Sequence, residues 1–539
     1  MPHTNDQSLR ISIDYWYEGA EAMNLRFVTR RAVLNGMMQS VVAGAMVTRA
    51  CANPATSPET SLAQTSLRRT SLNIAMSLEP PALDPTASAP VSVGKVTWSN
   101  IFEGLVTIDR YGKIQPQLAT EWTISPDGLI YTFQLRKGVV FHNGTPLTAS
   151  VAKFSLDRAR APDSENPQKH FFAQIDWVEA RGPLTLIIHM KRRNSSLLYW
   201  LGWPASVIIA PDSAQTNAVR PIGTGPFRFS NWSKGKTIDL VVNEQYWNRS
   251  EIALKAVTFH FIDDPDVLAS GIKSGTIDAV PEFNSPDPVA QLQRDTSLKV
   301  AIGVTEMKVI AGLNNARKPF NDLRVRQALM MAVDRSAIID GGWDGLGTEI
   351  GSHYTPNDRA YRDLTGIYPY DPVKSKGLLA SAGYPNGFSF TAKIPQMPYA
   401  VQCAQILQAS FAEVGVTMKI KTALFPEVWT REVFDNADYD MTIMAHAEPM
   451  DIGIFAQQKN YFNYHNPAFN AVLDAIERTT DAKEQDGLYG EAQTMLAKDL
   501  PALFLFALPK IGVWNAKLQG MWENEPMPSI ALSHVRFDD

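Results

Sequence analysis

Nine histidines, two cysteines and a few adjacent carboxylates are the residues of this 539-residue chain that could carry acid–base, nucleophilic or metal chemistry. Each such chemistry needs its residue types at a fixed spacing. H-E-x-x-H sets two imidazoles on one helix face, G-x-S-x-G raises a serine on a strand-to-helix turn, and G-x-x-x-x-G-K-[ST] cradles phosphates. None of the three occurs. Gly223-Thr224-Gly225 is followed by Pro226 and Phe227 rather than by a helix-opening glycine, so it is no dinucleotide loop. The histidines are scattered and read as ordinary core or surface residues, with no metal site expected. Asp263-Asp264 and Asp538-Asp539 read as solvated loop charges. A catalytic Cys403 would need a spatially close histidine, and the expectation is a lone buried thiol.

The elements that would position a site alternate between strand and helix patterns. Ser71–Met76 reads as a strand, and the proline-rich Glu79–Pro85 as a loop. Val96, Ile101 and Leu105 have helical spacing. Tyr131–Arg136 alternates as a half-buried strand, and Leu184–Met190 is another. Val325–Ile339 and Gln402–Val414 have helical periodicity, the second stopped by Gly415. Met418–Thr422 alternates as a strand. Phe469–Thr479 and Glu484–Leu496 read as helices. Leu503–Leu508 is a continuous apolar run, the pattern of a strand covered on both faces. The class is α/β or α+β with several sheets.

A chain of this length implies two or three lobes. Hydrophobic residues make up 45% and charged residues 19%, the balance of an ordinary globular protein, and the net charge is −5. There is no basic stripe, which excludes nucleic acid as the main partner. Near the amino terminus, Thr29-Arg30-Arg31 precedes a mildly apolar stretch from Ala32 to Thr48 and the small-residue exit Ala50-Cys51-Ala52. Basic, apolar and cleavage regions in that order make an export signal of twin-arginine type over residues 1–52. Met23 is an alternative start, with residues 1–22 spurious. A lipid on Cys51 is the rival to cleavage, disfavoured by Arg49. Residues 53–70, rich in Ser, Thr, Ala and Pro, read as a flexible leader.

The stretch Leu118–Gly144, LATEWTISPDGLIYTFQLRKGVVFHNG, resembles the signature region of the family-5 solute-binding proteins. These are receptors for oligopeptides, dipeptides, nickel, glutathione, haem and opines. The resemblance continues in order through Glu79–Pro85, Ile101–Leu105, Gly223–Phe227, Asn243–Trp247, Gly271–Asp278, Pro319–Arg335, Tyr370–Pro372 and Ala382–Tyr384. Ser150-Val151 departs from it, standing where the family usually has an acidic residue before valine.

The resemblance implies an α/β fold of the two-lobed periplasmic binding protein type (type II), with an extra inserted domain and the ligand cleft between the lobes. Lobe one would comprise residues 71–315 and 506–539, and lobe two residues 316–505. The function implied is a monomeric extracytoplasmic receptor that delivers a peptide-like or similar small solute to the membrane subunits of an ABC importer. No cofactor and no catalysis are implied. An exported hydrolase or a chaperone-like protein on the same fold is the alternative.

In peptide-binding members an acidic residue of lobe two pairs with the ligand's amino group. Glu448 falls closest to that position and Asp451 is the second choice. Dipeptide receptors carry an arginine where this chain has Met397, whereas Tyr399 matches the family's aromatic residue. Ser88, Trp98, Phe425, Trp429 and His446 complete the expected ligand-binding set, and Gln457–Tyr464 is read as either cleft wall or surface loop.

Overall fold

The computed structural model describes residues 69–538 apart from 89, 284, 287, 449, 450 and 480. The readings of an export signal, of Cys51 and of most of the leader therefore fall outside the described residues. Arg69 and Thr70, read as the end of the leader, are tied down. The Arg69 guanidinium lies 2.7 Å from Asp278, and the Thr70 carbonyl accepts from the amides of Lys255 and Ala256.

Two long strands, Leu298–Leu313 and Ala502–Asn515, form the spine. They pair antiparallel from Leu298 opposite Asn515 to Gly312 opposite Ala502, with the register broken between Val304 and Lys308. Every residue of Ala502–Leu508 is buried, as a run without polar alternation requires. Ser389–Pro395, Thr417–Ala423 and Met441–His446 extend the sheet on one side. Ala279–Val280, Ser71–Met76, Ala256–Phe261, Thr237–Val242 and Phe227–Ser233 extend it on the other, giving eleven strands with Thr348–Glu349.

The apolar cores divide along this spine. One core runs from Val309 to Leu508. Two more contain Leu72–Phe259 with Ala301 and Trp514–Phe537, and Ala75 with Leu268–Leu292, Ile511 and Val513. The cores thus part within the paired strands, between Ala301 and Val304 and between Leu508 and Ile511. Each spine strand thus serves cores on both sides, with no loop to mark the crossing.

A separate four-stranded sheet, Ala119–Ile124, Ile130–Leu135, Thr185–Met190 and Ile175–Arg181, packs under the helix Ala149–Arg160 with its own core. Thr148 caps that helix by accepting from the Val151 amide. Ser150 sits exposed in its first turn. This is the inserted domain, and Asp127-Gly128 turns its first hairpin with Gly128 at φ +69°.

Two helix readings are corrected. Val96–Leu105 is helical only to Thr97, in the helix Val91–Thr97. Trp98 is extended there and donates its indole N–H to the Gly202 carbonyl, and Ser99 has φ +54°, so the apolar spacing beyond comes from a buried loop. Val325–Ile339 is two helices, Leu323–Met331 and Arg335–Trp343, because Asp334 is extended and caps the second by accepting from the Ala337 amide. The strands at 71–76, 130–135, 185–190 and 417–423, and the helices Pro398–Glu413, Pro467–Arg478 and Ala482–Asp499, match their readings to within a few residues.

Several of the segments that carry the family resemblance meet at one buried carboxylate. Glu103 accepts from the Thr224 hydroxyl at 2.8 Å, the Tyr246 hydroxyl at 3.0 Å and the Trp247 indole at 3.1 Å. Arg136 stacks over the Trp247 ring at 3.8 Å. Burial raises the Glu103 carboxyl to about 7 against the pull of these donors. Gly223 is needed beside this knot, since a Cβ there would meet the Ile101 carbonyl oxygen at 2.0 Å.

Two outcomes follow. Gly223→Ala should destabilise lobe one by at least about 1–3 kcal/mol, seen as a lower melting temperature at unchanged secondary structure. Glu103 binds its proton more tightly folded than the ordinary 4.5, so its contribution to stability is greatest below pH 4.5 and is lost as pH rises through about 7. Melts of wild type and Glu103→Gln from pH 4.5 to 8 should show a smaller decline in the variant, and equal slopes would contradict this assignment.

Candidate functional site

A cleft of about 520 Å³ lies between the lobes. Lobe one contributes Ser88 and Gly94, and the inserted domain contributes Gln168, His170, Phe171, Tyr199, Trp200 and Trp203. Lobe two contributes Glu448, Asp451, Gln457, Asp474 and Glu477. The lobes touch at one edge of it. Glu477 accepts from the Ser195 amide at 3.3 Å, and Arg193 donates to the Arg478 carbonyl. Burial pushes the Glu477 carboxyl up, opposed by the Ser195 hydrogen bonds.

The loop carrying Glu448 is anchored from behind. Met441–His446 delivers the chain to the cleft by pairing with Lys308–Leu313 of the spine. Lys308, wholly buried, donates to the Glu448 carbonyl, and its ammonium lies 3.1 Å from Asp451. Burial opposes the Lys308 charge, but Asp451, Asp358 and Glu306 outweigh it and its pKa rises. Burial likewise opposes the Asp451 charge, yet His353 and Lys308 hold that carboxyl well below its usual range. A buried pair of this kind is costly to break from one side, since the remaining charge keeps no counter-ion.

His353 and His446 flank Asp451, and the three ligand atoms lie within 4.8 Å of one another. His353 Nε2 stands 3.0 Å from Asp451 Oδ1 but off the hydrogen-bond direction. Burial lowers the His353 pKa to about 4, which leaves the ring neutral at neutral pH. His446 Nε2 shares a hydrogen bond with the Tyr461 hydroxyl at 2.8 Å. These groups could hold a cation by donor type, but Lys308 already supplies the positive charge that Asp451 needs. The arrangement is that of a structural ion cluster behind the cleft.

Of the nine residues expected to bind ligand, Ser88, Glu448 and Asp451 line the cleft. The other six are placed elsewhere, for packing reasons. Trp98 is buried in the lobe-one core against Trp522. Met397 and Tyr399 are buried at the start of the helix Pro398–Glu413, and the Tyr399 hydroxyl accepts from the Ala445 amide at 3.0 Å. Trp429 donates to the Thr442 hydroxyl at 2.9 Å, and Phe425 packs beside it. His446 lies one layer back, against Tyr461 and Asp451. Within Gln457–Tyr464, Gln457 lines the cleft while Tyr461, Phe462 and Tyr464 are core. Cys403 is buried, and burial pushes its thiol up to about 12, so it is inert.

Sequence reading missed the aromatic side of the cleft. His170 and Phe171 sit on the single turn Lys169–Phe172, and Tyr199 and Trp200 on Leu197–Leu201. Neither element is long enough to show a period, although the density of rings in Tyr199-Trp200-Leu201-Gly202-Trp203 was a visible signal. Lys308 and His353 were missed because nothing local marks a buried charge.

Residues 113–452 match the family model described as bacterial extracellular solute-binding proteins, family 5, middle. The glutathione-binding protein GsiB of Salmonella paratyphi A is 28% identical over 464 residues, covering 82% of this chain and 88% of that protein. GsiB of Pectobacterium atrosepticum is 29% identical over 469 residues, covering 82% and 89%. Among solved structures, HbpA2 of Haemophilus parasuis superposes with TM-score 0.79 at 22% identity, covering 87% of this chain and 100% of that one. The periplasmic binding protein DppA of Helicobacter pylori, in complex with the peptide STSA, gives TM-score 0.67 at 25% identity, covering 87% and 98%. With the two lobes, the inserted domain and the interlobe cleft, these similarities establish that the chain belongs to the family 5 extracellular solute-binding proteins, the substrate receptors of ABC importers.

Proposed function

We propose that the chain is exported by the signal in residues 1–52, folds outside the cytoplasm as a monomer, and captures an amine-bearing, peptide-like solute for its importer. The observation that carries the ligand reading is the position of Glu448. It lines the cleft from lobe two, on a loop that Lys308 anchors. A carboxylate in a closing cleft gains most from a cation that is desolvated together with it, and a ligand ammonium is such a cation. The relatives that bind glutathione and a peptide agree with this class. Ser88 would contact the ligand from lobe one and Asp451 would act through the loop.

The cleft has no nucleophile held against a base among the described residues, which favours binding over turnover. A ligand recovered chemically changed after incubation would replace this reading with that of an exported hydrolase. Weak, unselective binding of unfolded chains would replace it with a chaperone-like role.

Native mass spectrometry of protein purified from a periplasm should show a discrete bound mass, lost on denaturation, that reacts as a primary amine. Glu448→Gln should weaken that ligand about tenfold or more, the scale of a lost charge-assisted hydrogen bond. An unchanged affinity would remove Glu448 from the site. Replacing Arg30 and Arg31 by lysine should retain the precursor in the cytoplasm, read by cell fractionation, and normal export would argue against a twin-arginine signal.

A further inference from the structure

Residues 191–196 link the strand Thr185–Met190 to the helix Leu197–Leu201 of the inserted domain. That segment is fixed to its own domain from several sides. Lys191 donates to the Ala173 carbonyl at 2.8 Å, and Arg192 to the Gln174 side chain at 2.8 Å. The Tyr131 hydroxyl donates to the Asn194 carbonyl at 2.9 Å, and the Asn194 side chain accepts from the Ser196 amide at 3.0 Å. Arg193 lies over the turn at Asp127-Gly128, where it donates to the carbonyls of Pro126 and Asp127. A long side chain held in this way has lost most of its rotamer freedom, so its guanidinium is aimed before the lobes meet.

From this base the segment reaches across to lobe two. Arg193 also donates to the Arg478 carbonyl, and Ser195 donates to the Glu477 carboxylate from its amide at 3.3 Å and from its hydroxyl at 3.5 Å. Glu477 and Arg478 end the helix Pro467–Arg478. The last carbonyls of a helix find no donor among its own amides and carry the negative end of its dipole. Arg193 supplies both a donor and a positive charge there. The Arg192 charge also faces Glu477, and the buried Tyr489 of the next helix, Ala482–Asp499, faces Ser195 and Ser196. Arg192, Arg193, Asn194 and Ser196 line the cleft from one side, and Asp474 and Glu477 from the other, so the segment crosses the rim.

We propose that residues 191–196 form a strap that fastens the inserted domain to lobe two, so that the cleft opens only when Glu477 and Arg478 release it. The spine strands permit opening, and the strap sets how much of the ligand-free protein is open. The contacts suit a reversible fastening. Arg193 and Ser195 are only half-buried, so water replaces their partners on opening and no charge is stranded in a core. The inference concerns closure alone and holds whatever ligand the cleft takes.

The test measures the separation of two spin labels in protein freed of co-purified solute by unfolding and refolding. The labels sit on Thr123→Cys of the inserted domain and Lys376→Cys of lobe two, both exposed positions, with Cys51→Ser to remove a stray thiol and with Cys403 shielded by burial. Electron–electron double resonance should show a populated short separation, that of the closed form, in protein with an intact strap. Glu477→Ala and Arg193→Gln should each raise the ratio of long to short separation roughly fivefold, the scale of a lost hydrogen bond to a charged group at a partly exposed site. Lys191→Ala removes a bond made wholly within the inserted domain and should leave the ratio unchanged. The two strap variants lie on opposite sides of the contact, so if melting curves show that one misfolds, the other decides. A long separation alone with the strap intact, a ratio unmoved by the folded strap variants, or an equal shift in Lys191→Ala would overturn the proposal.

Discussion

The antiparallel pairing of Leu298–Leu313 with Ala502–Asn515 is the constraint on which the rest of the molecule depends. Both strands are buried over most of their length, and the cores of both lobes attach to them. The lobes are therefore linked through shared backbone hydrogen bonds rather than through a flexible linker. The irregularity between Val304 and Lys308 is where the ladder loses regular register, and it falls just inside the lobe-two side of the point where the cores part. A strand pair that is continuous but locally unpaired can bend without losing either core.

The cleft inherits its chemistry from this spine. Lys308 belongs to it, and from within the core it holds the Glu448 carbonyl and the Asp451 carboxylate. The opposing desolvation costs are met only while both charges stay together, which makes the loop's position part of the folded core rather than a surface preference. The neutral His353 and the Tyr461–His446 contact close the remaining space around Asp451. The other wall is held by two cores: Phe172, Leu197 and Leu201 of its short helices join the inserted domain's core, while Tyr199, Trp200 and Trp203 pack against the lobe-one core. Closure would bring the acidic lining of lobe two against this aromatic face.

Residue types and spacing alone determined much of the architecture. The turn at Asp127-Gly128, the alternating strand after it, the apolar run 503–508 and the helix stopped by Gly415 all formed as read, because each depends on local periodicity or on a backbone angle that only glycine adopts easily. The ordered segments Ile101–Leu105, Gly223–Phe227 and Asn243–Trp247 pointed to the family, and they do so for a physical reason visible only when folded: they converge on Glu103, which accepts from Thr224, Tyr246 and Trp247 together. Local pattern failed where burial overrode it. Val96–Leu105 had helical spacing, yet the Trp98 indole bond to Gly202 takes the chain out of the helix.

The site divides along the same line. Sequence by itself determined that the chain is a two-lobed receptor and that Glu448 and Asp451 belong beside the cleft, since their place follows from the order of segments along the strand and loop 441–451. Only the tertiary structure decided that Met397, Tyr399 and Trp429 pack inward, that Lys308 and His353 stand behind Asp451, and that His170, Phe171 and Trp200 form the facing wall. Which way an aromatic or charged side chain points is set by partners hundreds of residues away, and no local spacing encodes such a contact.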